Sequence, residues 1–167
     1  MNNSLFAESV QVCSAIAPVN LATAANTGDW FSLANYRRLV FILHKSAGTA
    51  GEDPTITLQQ ATDNSGTGAK ALNVTRYHKK QGAALTAIGQ YTAVTMSAGN
   101  TITNDTLAEE QAIYIVEIDC ADLDVANGFL FVQASIADVG TNSQIGGVLA
   151  LLLNPRYSGG SLPSALS

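Results

Sequence analysis

The chain has 167 residues, the size of a single domain, and a net charge of −5 at neutral pH. The acidic balance argues against nucleic acid as a partner, because no basic run is dense enough to neutralise a row of phosphates. Only 13% of the residues are charged and 47% are hydrophobic, which suits close packing against other proteins or simply a β domain with an uncharged surface. The longest apolar run, Val148 to Leu153, is far shorter than a membrane span, so no membrane partner is expected.

Residues 1–8 come first and are predicted to form a flexible N-terminal arm. Leu5 and Phe6 are apolar side chains that can anchor such an arm on a neighbouring molecule. An arm that orders on binding covers a wide surface, although it forfeits chain entropy. Plain disorder of the same residues is the alternative interpretation.

Strands are predicted from residue 9 onwards, because apolar and polar residues alternate there with a period of two. Thr55 to Gln59 alternates cleanly, with Ile56 and Leu58 directed inward. Arg38 to Leu43 and Val148 to Leu153 are continuous apolar runs, which predicts strands covered on both faces. The predicted strands in chain order are 9–16, 19–24, 29–33, 38–43, 55–59, 71–78, 91–97, 111–119, 129–137 and 148–153.

Turn-forming segments separate these strands. Ala47 to Pro54 and Asp63 to Gly68 are rich in residues that tolerate turns, and Thr106 to Glu109 hints at a short helix through a capping box. Many short strands without long amphipathic helices predict an all-β fold, an antiparallel two-sheet sandwich of the jelly-roll type over residues 9–157. Residues 158–167 are predicted to form a flexible C-terminal tail, with Leu162 as a second candidate anchor.

The sequence offers little material for catalysis. His44 and His78 each follow a strand into a loop, which is typical of partly exposed histidines, and no Ser or Cys is placed to act as a nucleophile. Gly66 to Lys70 lacks the spacing of a phosphate-binding loop. Cys13 and Cys120 are interpreted as buried thiols, with a disulfide between them as the alternative. We therefore predict no enzyme activity, no catalytic residue and no cofactor.

An aspartate cluster is the part of the sequence that most resembles a metal-binding or catalytic site. Asp119, Asp122 and Asp124 lie close together, but the segment lacks the later Glu of a calcium-binding loop. We expect Asp122 and Asp124 to cap a single helical turn, and Asn127-Gly128 to reverse the chain with positive φ. Calcium binding is the alternative; the prediction is that the chain has no metal site.

Aromatic and arginine side chains are the residue types most enriched at protein contacts, and they supply the candidate interface residues together with the anchors of the two arms. Burial in the core or an ordinary surface position is the alternative for each. The candidates are Leu5, Phe6, Trp30, Tyr36, Arg37, Arg38, Arg156, Tyr157 and Leu162.

Several short segments of the chain resemble a group of small structural proteins of tailed bacteriophages. No catalytic residue is among them. The segments that carry the resemblance are Ala22–Trp30, Asn35–Arg38, Gln59–Asp63, Glu117–Asp124, Asn127–Phe129, Ala137–Gly140 and Pro155–Tyr157.

The resemblance implies a capsid decoration (cement) protein, which is a small β-rich domain that binds the outer surface of a capsid and stabilises the shell. It implies the major capsid protein as a partner, self-association as a homotrimer, and a place on the outside of the virion after assembly in the cytoplasm of the host bacterium. One alternative is a carbohydrate- or receptor-binding module of a head fibre or tail, with Trp30, Tyr77 and Tyr91 as stacking platforms. Another is a hydrolase that uses His44 or His78.

Overall fold

The computed structural model describes residues 5–103, 110–138, 140–157 and 161–166. They form two antiparallel sheets packed face to face, which confirms the predicted all-β sandwich. No helix in these ranges is long and apolar enough to cross a membrane. The elements are α1 (Phe6–Ser9), β1 (Val10–Asn20), β2 (Asn26–Thr27), β3 (Phe31–Ser32), β4 (Tyr36–Lys45), β5 (Thr55–Ala61), β6 (Lys70–Ala71), β7 (Val74–Gly82), β8 (Thr92–Gly99), β9 (Thr101–Thr103), β10 (Gln111–Asp119), β11 (Phe131–Ile136) and β12 (Ile145–Pro155), with 3₁₀ turns at Leu85–Ala87, Cys120–Asp122 and Val125–Asn127.

The strand order is that of a jelly roll. Sheet A has the order β1-β12-β4-β10-β7-β8, and sheet B has the order β2-β11-β5-β6, with β3 also on β11 and β9 also on β5. Most connections carry the chain from one sheet to the other, which is the double Greek key of a jelly roll. The β7–β8 hairpin is an addition that widens sheet A beyond β10.

The core is a layer of alternating apolar side chains from both sheets. Leu39 and Phe41 of β4 point inward from sheet A, and Leu58 and Val132 point inward from sheet B, each at most 1% exposed. The rings of Phe31 and Phe41 meet edge to face, with centroids 6.1 Å apart, and join the two sheets. Fully burying a side chain of this size contributes about 1.5–3 kcal/mol to the stability of the fold. Burial of this apolar layer is therefore the main interaction that holds the two sheets together.

Two predicted strands are corrected by the structure. The strand expected at 19–24 does not form, because β1 continues to Asn20 and Leu21 then enters a buried turn in which its N–H donates to the Gln144 carbonyl at 2.8 Å. The strand expected at 71–78 is divided between β6 and β7, because the chain leaves sheet B after Ala71 and joins sheet A at Val74.

The chain termini also differ from the prediction of flexible arms. Residues 6–8 of the expected N-terminal arm form α1 together with Ser9, and the first turn of α1 is closed by the Glu8 carboxylate, which accepts from the Leu5 N–H at 2.9 Å. In the expected C-terminal tail, Ala165 is 4% exposed and its carbonyl accepts from the Ser32 N–H at 2.8 Å. The short helix expected at 106–109 lies outside the described residues, as do residues 1–4 of the arm.

Candidate protein interface

One end of the sandwich gathers most of the exposed candidate interface residues. At this end β4 begins, β10 and β12 finish, and α1 leads into β1, because Arg38 is paired in register with both Leu153 and Asp119. Val10 is paired with Leu153, which brings the start of β1 to the same place. We name this region the arginine end; its exposed members are Leu5, Phe6, Arg37, Arg156 and Tyr157, and the half-buried Arg38 lies among them.

The apolar members of the arginine end are unusually open to solvent. Tyr157 is 71% exposed, Leu5 is 70% exposed and Phe6 is 62% exposed. Single exposed apolar residues are common on protein surfaces, but three large ones beside a group of arginines match the composition of protein contacts. The exposure of Leu5, Phe6 and Tyr157 is therefore compatible with the sequence-based prediction that they contact another protein.

Acidic side chains hold the arginines in place. Arg37 Nε lies 3.5 Å from Asp119 Oδ2, and the Arg37 side chain is still 72% exposed. Arg38 Nη1 lies 3.5 Å from Glu117 Oε2, while its Nη2 lies 4.0 Å from Asp119 Oδ2. Exposed pairs of this kind contribute about 0–1 kcal/mol to folding. Their effect here is to orient guanidinium groups that remain accessible to another molecule.

Three predicted interface residues are placed differently. Tyr36 is 1% exposed although it has the same strand parity as the outward-facing Val40 and Ile42, and its hydroxyl donates to the Pro163 carbonyl of the C-terminal segment at 2.6 Å. Trp30 is half-buried against the turn at Gly66, where an added Cβ would lie 2.9 Å from Trp30 Nε1. Leu162 is half-buried in the C-terminal segment that Tyr36 holds. Tyr36 is thus a core residue, and its choice as an exposed contact is wrong.

The aspartate cluster forms the turns that close the arginine end. Asp122 Oδ2 accepts from the Asp119 N–H at 2.8 Å, and Asp119 Oδ1 accepts from the Ala121 N–H at 3.1 Å, so these two residues cap the 3₁₀ turn at 120–122. Gly128 has φ of 83° and reverses the chain, as predicted. The capping role expected of Asp122 is confirmed, and Asp119 shares it.

Asp124 has a different role from the predicted cap. Its carboxylate accepts from Lys70 Nζ and from Asn127 Nδ2, and the hydrogen bond from Lys70 is the main reason that the pKa of Asp124 lies below its usual value. The Lys70 ammonium also lies 3.8 Å from the centroid of the Phe129 ring. The Asp124 N–H donates to Gln60 Oε1 at 2.9 Å. Sequence spacing carries no signal for the Lys70–Asp124 pair, because its members are far apart in the chain and on different elements.

The candidate chemical groups lie apart from one another. His44 and His78 are on the outer face of sheet A, in register with Ile113 and Ile115 of β10 respectively. Cys13 and Cys120 are free thiols, and burial raises the pKa of each. Within the described ranges, no three His, Cys, Asp or Glu side chains are grouped so that they could hold a metal ion.

The predicted sugar-stacking platforms are only partly available. The Tyr77 ring packs on Tyr114 with centroids 5.7 Å apart, and Trp30 is held against Gly66. Tyr91 is 50% exposed, and the Lys80 ammonium lies 4.4 Å from its ring centroid. These three aromatic residues do not form one stacking surface.

Comparison with known proteins gives little further information. No protein-family model matches the chain, and no curated protein matches it. Among solved structures, the chain is similar to the SPBc2 prophage-derived protein YomS, with 15% sequence identity over 84% of this chain and 92% of that chain and a TM-score of 0.42. A similarity at this level does not bear on the function of this chain.

Proposed function

We propose that the protein is a non-enzymatic structural component of a tailed-phage virion, which binds the outer surface of the capsid through the arginine end and stabilises the shell. Its partners in this proposal are the major capsid protein and further copies of itself, assembled as a homotrimer. No cofactor takes part. The proposed place of assembly is the cytoplasm of the host bacterium.

The observation that carries the proposal is the position of the segments that resemble phage virion proteins. Although they are far apart in sequence, several of them meet at the arginine end. The Arg156 N–H donates to the Asn35 carbonyl at 2.8 Å, Arg38 pairs with Glu117, and the Asp124 N–H donates to Gln60 Oε1. A function shared with those proteins would therefore act at this end of the sandwich.

The physical character of the arginine end fits a capsid contact. Tyr157 and Phe6 can bury apolar area, and the guanidinium of Arg37 can donate several hydrogen bonds to carbonyl or carboxylate oxygens of a partner. A capsid presents the same site many times, so three linked copies that bind together reinforce the shell even when each single contact is weak.

The experiment uses capsids assembled without this chain and purified protein added back. We expect the protein to co-sediment with the capsids and to raise the temperature at which they release their DNA. The variants R37E and R156E should each weaken capsid binding at least tenfold. The variant K79E makes the same charge change on β7, at a position in register with Tyr114 and away from both the arginine end and the outer face of sheet A, and should bind as the wild-type protein does.

The proposal fails if the wild-type protein does not bind such capsids, or if it binds without any effect on their stability. Equal binding by R37E, R156E and K79E would show that the arginine end is not the contact. Binding to glycans in place of capsids would favour the carbohydrate-binding alternative.

A further inference from the structure

The outer faces of the two sheets have opposite characters. Sheet B presents polar side chains outward, as expected of a sheet that faces water. Sheet A presents branched aliphatic side chains across four neighbouring strands, β1, β12, β4 and β10. We name this surface the aliphatic face; its members are Val10, Val12, Val40, Ile42, Ile113, Ile115, Ile145, Leu149, Leu151 and Leu153, and the corresponding outward residues of sheet B include Thr55, Thr57, Gln59, Thr103 and Ser135.

The register of the strands makes the aliphatic face continuous. Val12, Leu151 and Val40 lie side by side in one row across β1, β12 and β4. Leu149 and Ile42 form the next row with Ile115 of β10. In an antiparallel sheet such opposed residues share one face, so their side chains form one apolar surface.

Several members of the aliphatic face remain open in the single chain. Ile145 is 49% exposed, Val12 is 48% exposed and Leu149 is 46% exposed. The sequence runs 38–43 and 148–153 predict strands covered on both faces, but the described residues cover only the inner face. Among the described residues the outer face of these strands is therefore left open, and another molecule can supply its cover.

Charged side chains are confined to the margins of the aliphatic face. At the arginine end, Arg38 is already paired with Glu117. On the opposite flank, β7 places His78 and Lys80 beside Ile115 and Ile113. Within the face, His44 of β4 lies between Ile113 and Gly147, and the positions around it are aliphatic or small, so that they match a second aliphatic surface.

The face also carries a depression and projections that suit one another. Gly147 lies between Ile145 and Leu149, and a Cβ added to it would lie 3.0 Å from the Ile16 carbonyl oxygen and 3.1 Å from the Pro18 nitrogen. The irregular part of β1 therefore requires a glycine there, and a depression beside it is lined by Pro18, His44, Ile145 and Leu149. The exposed Ile145 and Leu149 side chains of another copy have the size and chemistry to enter such a depression.

The extent of the face is sufficient for a stable contact. With strands about 4.8 Å apart and a rise of about 3.4 Å per residue, the four strands between Ile145 and Leu153 cover about 500 Å². Two such faces pressed together bury about 1,000 Å², the level at which specific protein interfaces begin.

We propose that the aliphatic face is covered by another copy of this chain, so that copies meet through sheet A. The copy number of three rests on the proposed function, but the contact face follows from sheet A alone. The aliphatic face borders the arginine end at the row of Val10 and Leu153, and capsid binding through the arginine end leaves the part from Ile145 to Leu151 free for self-association. The two surfaces therefore have separate roles, one toward the capsid and one toward the neighbouring copy.

The test is the mass of the free protein by light scattering and sedimentation over a dilution series. We expect the mass of the wild-type protein to be that of two or more chains of 17.4 kDa each. L149D places a charge in the centre of the face and should raise the dissociation constant at least tenfold. T103D places the same charge on the outer face of sheet B, where Thr103 is exposed, and should leave the assembly unchanged.

A second variant guards against loss of folding in L149D. V12K introduces the opposite charge on the edge strand β1, and far-ultraviolet circular dichroism with a cooperative melting transition shows whether each variant is folded. Folded V12K or L149D protein that assembles as the wild type does would overturn the inference, and so would a wild-type protein that is monomeric at all concentrations. A monomeric wild-type protein that still binds capsids would overturn this inference and the proposed homotrimer but not the proposed capsid binding, whereas an assembled protein that binds no capsid would overturn only the capsid binding.

Discussion

The Tyr36 hydroxyl donates a hydrogen bond of 2.6 Å to the carbonyl oxygen of Pro163 and so ties the C-terminal segment to the first residue of β4. The Ser32 N–H adds a second link, to the Ala165 carbonyl at 2.8 Å, and Asn64 Nδ2 adds a third, to the Leu166 carbonyl at 3.2 Å. The segment that the sequence suggests as a loose tail is in this way a part of the folded domain, held beside the arginine end.

Removing this hydroxyl should loosen the C-terminal segment. We expect Y36F to lower the free energy of unfolding by about 1 kcal/mol, because the ring stays in the core while a part-buried carbonyl loses its donor. Urea denaturation measures the loss, and limited proteolysis should cut the variant faster after residue 157. Y157F removes a hydroxyl from a ring that is 71% exposed and should change neither result.

The same residue predicts a sensitivity to alkaline pH. Burial raises the pKa of Tyr36 above its ordinary value of 10.0, so the unfolded chain loses this proton before the folded protein does. The folded state then binds more protons than the unfolded state, and the stability that is present below pH 10.0 is lost as the pH rises through the folded pKa. Melting temperatures above that pH should fall more steeply for the wild-type protein than for Y36F. Parallel curves would contradict the prediction.

The Lys70–Asp124 pair predicts a sensitivity to acid. The hydrogen bond from Lys70 lowers the pKa of Asp124 below its ordinary value of 3.8, so the unfolded chain takes up this proton first as the pH falls. The stabilisation by Asp124 is present above pH 3.8 and is lost as the pH falls through the lower, folded pKa. D124N should therefore be less stable than the wild type at neutral pH, and the difference should shrink in acid. D29N, which removes a carboxylate from an exposed site, is the control for the change of net charge.

Gly66 allows a comparison of backbone strain with packing. Gly66 and Gly51 have φ of 81° and 86°, but an added Cβ at Gly66 would lie 2.9 Å from Trp30 Nε1, whereas at Gly51 it would meet nothing within 4 Å. G51A should cost about 1 kcal/mol for the left-handed backbone alone. G66A should cost more and should also shift the fluorescence of Trp30. Equal losses in the two variants would show that the contact with Trp30 contributes nothing.

The sequence predicts elements best where alternation is regular and long. Strand 111–119 is predicted at the bounds at which β10 is found, whereas β2 and β9 are too short to leave a periodic pattern. Lys45 shows a second limit, because it continues the inward alternation of β4 and is 1% exposed, with its Nζ donating to the Glu110 carbonyl at 2.9 Å. Lysine is usually a surface residue, and the burial of Lys45 could not be predicted from the sequence because the carbonyl that it binds belongs to a distant segment of the chain.

The candidate interface was only partly predictable for a related reason. Residue type selected Arg37 and Tyr157 correctly as exposed side chains, but it also selected Tyr36, which is buried. The aliphatic face was present in the sequence as runs covered on both faces. Periodicity indicates that a strand is buried, but not whether the cover comes from the same chain.

The loop that contains Gly51 joins β4 to β5 at the end of the sandwich opposite α1 and residues 161–166. A peptide inserted at Gly51 would project into open solvent and stay away from the arginine end. Cargo placed next to α1 or to residues 161–166 would instead lie beside the arginine end and compete there with the proposed capsid contact. For the display of antigens or enzymes on a phage particle, this loop is accordingly the better attachment point.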